Sequence, residues 1–119
     1  MKNNHALLII AASERDANLY YATRFIAPDS FVFIQTRGRR ILLMSDLEVD
    51  RARSQASVDE VFSTSKLARD YKKQTGDRPS FVGLIASFLE RKKIRNLLVP
   101  ADFPTIYADE FRKRNFKIE

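Results

Sequence analysis

The sequence predicts an α/β fold, in which a mixed β-sheet of about six strands is flanked by helices. Strand and helix patterns alternate along the chain, and a helix that joins two strands covers a face of their sheet. One pair of strands is joined by a turn too short for a parallel crossover, so the sheet contains antiparallel neighbours. The 119 residues, 45% of them hydrophobic and 11% aromatic, suffice for one domain, residues 1–119, with its own core.

The amino-terminal residues predict a buried strand followed by a short helix or turn. Residues 5–12 form an apolar run, typical of a strand covered on both faces. Residues 13–21 follow, with Ser13 as the capping residue and Asp16 three positions later. The apolar run is far shorter than the roughly 18 residues of a membrane-spanning helix. We therefore expect no membrane partner.

A β-hairpin and a helix come next. Residues 31–36 and 40–44 are rich in β-branched, aromatic and aliphatic side chains, and Arg37-Gly38-Arg39 is the turn between them. Asp46 is expected to cap a helix over residues 47–56, with Leu47 and Ala52 facing inward. A brief strand is expected at residues 60–62.

The clearest helix begins after a polar segment. Residues 66–78 suggest no regular element, and Gly76-Asp77-Arg78-Pro79 is a turn. Ser80 is expected to cap the helix that follows. Its apolar residues recur at helical spacing and form one continuous face. They are Phe81, Leu84, Ile85, Phe88 and Leu89.

The last third of the chain predicts a strand, a helix and a final strand. Residues 96–100 are the first strand, and Asp102 is expected to cap the helix after it. The buried stripe of that helix is expected to consist of Phe103, Ile106, Tyr107 and Phe111. A last strand begins at residue 116, and because the chain stops at Glu119 we expect an excised domain rather than a complete gene product.

The composition excludes several kinds of catalytic site. The chain has no cysteine, which rules out disulfides, cysteine nucleophiles and thiolate metal sites, and this fits the cytoplasm. The one histidine, His5, is expected to be an ordinary strand residue, and no Gly-x-Ser-x-Gly elbow accompanies it. Three scattered glycines form no phosphate-binding loop. We predict no catalytic residue in this chain.

Acidic residues after two of the strands raise the question of a metal site. Asp46, Glu48 and Asp50 follow one strand and Asp102 follows another, and ligands often bind where the strands of an α/β sheet end. Helix capping explains Asp46 and Asp102 without a metal, and Glu48 and Asp50 point in different directions on a helix. We therefore predict neither a metal site nor a cofactor in this chain.

The net charge of +6 raises the question of nucleic acid. The basic residues cluster in three places: Arg37, Arg39 and Arg40; Arg91, Lys92, Lys93 and Arg95; Arg112, Lys113, Arg114 and Lys117. Two clusters fall at predicted helix carboxyl ends, where cations complement the helix dipole, and the third is a turn. We therefore predict no nucleic-acid partner; a free-standing module that binds nucleic acid or another polyanion is the alternative function.

Three stretches together resemble a known family. Residues 18–25 are similar to the pattern Asn-x-x-Tyr-Leu-Thr-Gly-Phe, residues 31–34 and 40–44 to its second and third strands, and residues 45–52 to a segment in which Glu48 precedes Arg51-Ala52. They resemble the amino-terminal domain of the creatinase, prolidase and aminopeptidase P (Xaa-Pro peptidase) group, which implies a fold with a ribonuclease H-like motif. Arg24 stands where that family usually has glycine.

The resemblance implies a non-catalytic domain that covers the active-site cleft and supports dimerisation. It implies that a carboxy-terminal "pita-bread" domain is absent from this chain. That domain carries two divalent metal ions on two Asp, one His and two Glu, and makes the parent a hydrolase, an Xaa-Pro dipeptidase or aminopeptidase. The implied partners are this catalytic domain and a second subunit.

The resemblance also implies a site, the loop over residues 21–29. By position, Tyr21, Arg24, Phe25 and Asp29 would line a substrate pocket or contact the neighbouring subunit. Ordinary loop packing is the alternative interpretation of these residues.

Overall fold

The computed structural model describes residues 4–27 and 29–119. Within these ranges the chain forms six strands and five helices. In chain order they are β1 His5–Ala11, α1 Ala17–Thr23, β2 Phe31–Thr36, β3 Arg39–Met44, α2 Asp46–Gln55, β4 Glu60–Ser63, α3 Thr64–Thr75, α4 Phe81–Arg91, β5 Asn96–Leu98, α5 Thr105–Lys113 and β6 Lys117–Ile118. In the described part of the chain, no helix is long and apolar enough to span a membrane.

The strands form one mixed sheet in the order β4-β3-β2-β1-β5-β6. β2 runs antiparallel to β1 and β3, whereas the pairs β3–β4, β1–β5 and β5–β6 are parallel. The turn between β2 and β3 places Arg37 at φ 53° and Gly38 at φ 75°, and positive φ at both positions favours the twist of a tight hairpin. The prediction of an α/β fold with a mixed sheet of about six strands is confirmed.

Helices cover both faces of the sheet. On one face, α4 and α5 pack against alternate strand residues such as Leu8, Ile34 and Ile41. On the other face, α1 and α2 cover Ile9, Phe33 and the neighbouring residues of the same strands. Because successive strand side chains point to opposite faces, the nearly continuous apolar sequences of β1 and β2 are those of strands covered on both sides.

Helix α4 matches its prediction closely. The Ser80 hydroxyl accepts a hydrogen bond from the Gly83 amide at 3.0 Å, so the predicted cap is confirmed. Ile85 and Leu89 are completely buried, and Val82 and Ala86 are buried beside them. Phe81 is 42% exposed and lies at the border of the buried face rather than within it.

The predicted cap of the first helix is wrong. α1 begins after Asp16, whose carboxylate accepts a hydrogen bond from the Leu19 amide at 3.0 Å. Ser13 is buried, and its hydroxyl accepts a hydrogen bond from the Ala27 amide at 2.8 Å. Ser13 therefore joins the end of β1 to the loop after α1 instead of capping a helix.

Two predictions for α2 are also wrong. Ser45 occupies the capping position, and Asp46, the first residue of the helix, accepts a hydrogen bond from the Ser63 hydroxyl at the end of β4. Leu47 is 92% exposed, whereas Val49 and Ala52 are buried. Since each residue turns a helix by about 100°, Leu47 and Ala52 lie about 140° apart around its axis, whereas Val49 and Ala52 lie about 60° apart and both face the core.

The polar segment after β4 is a helix that the sequence pattern did not predict. In α3 the Ser63 hydroxyl caps the first turn by accepting from the Lys66 amide at 3.1 Å, and Gly76 ends the helix at φ 82°. No residue of α3 is fully buried, although Leu67 packs against the core. Its apolar side is narrow, with Leu67 and Tyr71 four residues apart and half-buried, and the polar composition of the segment concealed it.

The start of α5 differs from its prediction. The helix begins at Thr105 after Pro104, and Asp102 is exposed in the preceding turn, so it is not the cap. Phe111 is fully buried, but Phe103 is buried from a position before the helix and Ile106 is 74% exposed. Proline has no backbone N–H, and the first N–H groups of a helix have no partner within it. Pro104 therefore costs no helical hydrogen bond at this position, which favours a helix that begins here.

Candidate functional site

The loop predicted over residues 21–29 begins later in the structure, because residues 21–23 form the end of α1, which ends in a left-handed residue. Arg24 adopts φ 55°, and its amide donates to the Tyr20 carbonyl. Glycine is favoured at such helix ends because it has no Cβ, and other residues cost roughly 1 kcal/mol or more there. The arginine therefore adopts the backbone conformation that glycine would favour at this position.

Thr23, the last residue of α1, connects three parts of the structure. Its buried hydroxyl donates to the Leu19 carbonyl at 3.0 Å and accepts from the Phe25 amide at 3.3 Å. Its own carbonyl accepts from the Ser57 amide after α2 at 2.7 Å. Because a buried polar group without a partner is costly, these bonds define the path of the chain through residues 23–25.

Phe25, one of the predicted site residues, lies in the core. It is 1% exposed, and its ring meets Phe31 edge to face at 6.4 Å between centroids. The guanidinium of Arg51 lies over the other side, 4.2 Å from the ring centroid. Phe25 packs beneath the loop as part of the core, and its buried ring is not accessible to a ligand in solution.

Arg51 holds the loop against α2. It forms an ion pair with Glu48 on the preceding turn and donates to the Ile26 carbonyl at 3.0 Å. Together with the cation–π contact to Phe25, this places three interactions on one side chain. The family resemblance includes both Glu48 and Arg51, but the contact of Arg51 with residues about 25 positions away depends on the fold.

The exposed side chains around this loop form what we call the loop surface: Tyr21, Arg24, Ile26 and Leu47. Tyr21 is 71%, Ile26 53% and Leu47 92% exposed, and the Arg24 guanidinium lies 4.4 Å from the centre of the Tyr21 ring. Leu47 and Arg51 are four residues apart on α2, so Leu47 lies on the side of the helix that faces the loop. Asp29 is exposed nearby, beyond residue 28.

The loop surface presents groups that can contact a ligand or a partner. It offers the Arg24 guanidinium, the Tyr21 hydroxyl and two aliphatic side chains, and none of these is a nucleophile paired with a base. Within residues 4–27 and 29–119, no group of three or more His, Asp or Glu could hold a metal ion. His5 is hydrogen-bonded to the side chain of Asn4 at 2.9 Å. Whether Tyr21, Arg24 and Asp29 contact a substrate or a subunit stays a prediction.

Many residues of the three basic clusters are engaged individually. Arg39, Arg95, Arg112 and Arg114 form ion pairs with Glu60, Glu90, Asp109 and Glu110. Arg37 donates to the Lys92 carbonyl and Arg40 to the Ala22 carbonyl. In the described part of the chain, four of the eleven clustered cations are thus paired with a carboxylate, and the absence of a nucleic-acid partner stays a prediction.

No protein-family model and no curated protein matches the chain. Solved structures do. The X-Pro aminopeptidase from Thermotoga maritima MSB8 matches with a TM-score of 0.72 at 13% identity, over 96% of this chain but only 30% of that one. The prolidase from Pyrococcus horikoshii OT3 matches with a TM-score of 0.59 at 19% identity, over 96% and 28% of the two chains.

A shorter solved chain matches as well. The aminopeptidase P, Xaa-Pro aminopeptidase, from Streptococcus thermophilus has a TM-score of 0.64 at 18% identity, and the match covers 96% of this chain and 76% of that one. At such identities the likeness shows the fold. This chain therefore has the fold of a part of these proteins, and it spans less than a third of the length of the Thermotoga and Pyrococcus chains.

Proposed function

We propose that this chain is a non-catalytic domain of an Xaa-Pro metallopeptidase that covers the active-site cleft and supports dimerisation in the full-length enzyme. One observation carries the proposal: 96% of the chain follows the fold of an X-Pro aminopeptidase, yet it accounts for only 30% of that protein. The shared sequence stretches around residues 18–25 and 45–52 support it, because in the structure they meet at the loop surface.

The hydrolytic chemistry then belongs to a separate catalytic domain. Two divalent metal ions bound there would activate a water for attack on the bond before proline. The described residues of this chain present no carboxylate–histidine cluster, so its contribution is to bind and to exclude water. The partners under this proposal are that catalytic domain and a second copy of the protein, in the cytoplasm.

The loop surface is the part of the chain that we assign to these contacts. Exposed aliphatic and aromatic side chains lose contact with water when a partner covers them. Ile26 lies on the loop that Arg51 holds, and Tyr21 and Leu47 lie on the helices beside it. Arg24 offers a guanidinium that could meet the carboxylate of a substrate or of a partner. The exposed Asp29 would lie at the border of this surface.

The reading frame of the gene beyond codon 119 is the first test. We expect it to continue and to encode the two Asp, one His and two Glu of a metal site. The purified 119-residue chain should cleave neither Ala-Pro nor longer Xaa-Pro peptides with Mn²⁺ present. A frame that stops at codon 119, or cleavage by the chain alone that a chelator abolishes, would overturn the proposal.

The loop surface is tested in the full-length protein. Leu47→Ser and Ile26→Ser should weaken the dimer or raise KM at least threefold, because they remove apolar contact area. Ile106→Ser is the matched control, since Ile106 is 74% exposed on α5, which covers the opposite face of the sheet. Equal effects of the three variants on sedimentation equilibrium and on KM would show that the loop surface has no special role.

A further inference from the structure

A trough follows the outer edge of β4, away from the loop surface. It consists of two adjoining cavities of about 340 and 510 Å³ that share Arg53, Val61 and Phe62. We call it the β4 trough. It lies between α2, the first turns of α3 and the end of α4. None of its residues belongs to the loop surface.

The strand that borders the trough is at an end of the sheet. Among the described residues β4 has one ladder partner, β3. An edge strand presents backbone N–H and C=O groups along its free side, and extended peptides can lie along such an edge. Arg53 is held at this edge, where its guanidinium donates to the Val61 carbonyl at 3.1 Å.

The larger cavity carries a strong excess of positive charge. Arg53, Lys66, Arg91 and Lys92 line it, with Asp70 as the one acidic residue among its described lining residues. In the described part of the chain none of these four cations forms an ion pair, whereas five other arginines do. The smaller cavity is lined by Arg53 together with Asp59 and Glu60, so the positive excess is confined to the end of the trough between α3 and α4, where it attracts an anionic partner.

The floor of the trough is apolar and closed. Phe62 and Phe88 meet edge to face at 5.2 Å between ring centroids, Phe88 is 7% exposed, and Leu67 lies beside them. The Lys92 ammonium is 5.3 Å from the centre of the Phe88 ring. Phe88 is covered by Phe62 and Lys92, whereas Phe62 is half-buried and borders the trough. An aliphatic side chain can cover this part of the floor.

We infer that the β4 trough binds an acidic peptide segment in an extended conformation. The peptide backbone lies along β4, an aliphatic side chain covers Phe62 and Leu67, and carboxylates face Lys66, Arg91 and Lys92. This inference is independent of the proposed peptidase function, because it concerns another surface and another ligand.

The test uses the purified chain and a fluorescein-labelled dodecapeptide in which Glu or Asp alternates with Val or Leu. Fluorescence anisotropy should show saturable binding that weakens several-fold between low salt and about 0.3 M salt. The charge reversals Lys66→Glu and Arg91→Glu, made together, should weaken it at least tenfold. Lys113→Glu with Lys117→Glu is the matched control: both residues are exposed, the net charge change is identical, and the effect should stay within about twofold.

Each remaining outcome decides against the inference. The idea fails if the dodecapeptide does not bind, or if the control pair weakens binding as much as the trough pair. It also fails if a peptide with Ser in place of Val and Leu binds equally well, because the apolar floor would then contribute nothing. Equal binding of a uridine dodecamer, lost in the same trough variant, would identify a polyanion site instead. Circular dichroism of each variant establishes that it is folded.

Discussion

Removal of the Arg51 side chain tests whether the contact between α2 and the loop after α1 stabilises the domain. Arg51→Ala deletes the ion pair with Glu48, the hydrogen bond to the Ile26 carbonyl and the cation contact with the Phe25 ring. The ion pair is partly exposed, with 38% and 23% of the two side chains accessible, and is screened, so it contributes only about 0.5 kcal/mol. The hydrogen bond and the ring contact contribute about 1 kcal/mol each at most.

We expect Arg51→Ala to lower the free energy of unfolding by about 2 kcal/mol. Urea denaturation followed by circular dichroism measures this change, and the slope of the transition should stay the same. Arg51→Lys retains the positive charge but loses the planar guanidinium, so its free energy of unfolding should lie between those of the unmodified protein and Arg51→Ala.

Arg112→Ala is the matched control for this experiment. Arg112 also pairs with a carboxylate three residues away on a helix, Asp109, but 55% and 59% of the two side chains are exposed. Its removal should change stability by less than about 0.5 kcal/mol. If Arg51→Ala and Arg112→Ala are equally mild, the loop is not held by Arg51, and our description of the site is wrong.

Three further predictions, which use five substitutions, are tested in the same denaturation assay. Ser80→Ala should lower the free energy of unfolding by about 1 kcal/mol, because it removes the cap hydrogen bond of α4. Ser45→Ala should change it little, because the Ser45 side chain forms no cap hydrogen bond. Equal losses of stability in the two variants would contradict this prediction. Arg24→Gly should stabilise the chain by roughly 0.5 kcal/mol by relieving the left-handed backbone, and a loss of stability would refute that reasoning. Val49→Ala should cost about 1–2 kcal/mol and Leu47→Ala almost nothing, the reverse of what the sequence pattern predicts.

Elements with strong local signals were predicted well. α4 combines a serine cap with apolar residues at helical spacing, and the hairpin combines two apolar strands with an Arg37-Gly38 turn, so local and tertiary preferences agree there. α3 lacks such agreement. It is stabilised by the cap at Ser63, by Gly76 at its end and by contact through Leu67, and only the first two are local.

The predicted starts of α2 and α5 are wrong, and so is one predicted core residue in each helix. Asp46 and Asp102 are both good capping residues, but Ser45 and Pro104 occupy the capping positions. Leu47 and Ile106 were assigned to the core and are exposed, because each lies five residues before the buried Ala52 or Phe111, which is about 140° around the helix axis. The entry of the chain into a helix depends on where the preceding strand ends in the sheet, which a local pattern does not contain.

The sequence by itself determined the fold class, because hydrophobic period and turn residues are local properties. Only the tertiary structure decided that Phe25 faces inward and that Arg51 crosses to the loop. It alone brought the cations of α2, α3 and α4 together beside β4. Those arrangements join residues far apart in the sequence, and their energies depend on distance, burial and exposure, which exist only once the sheet and its helices have packed.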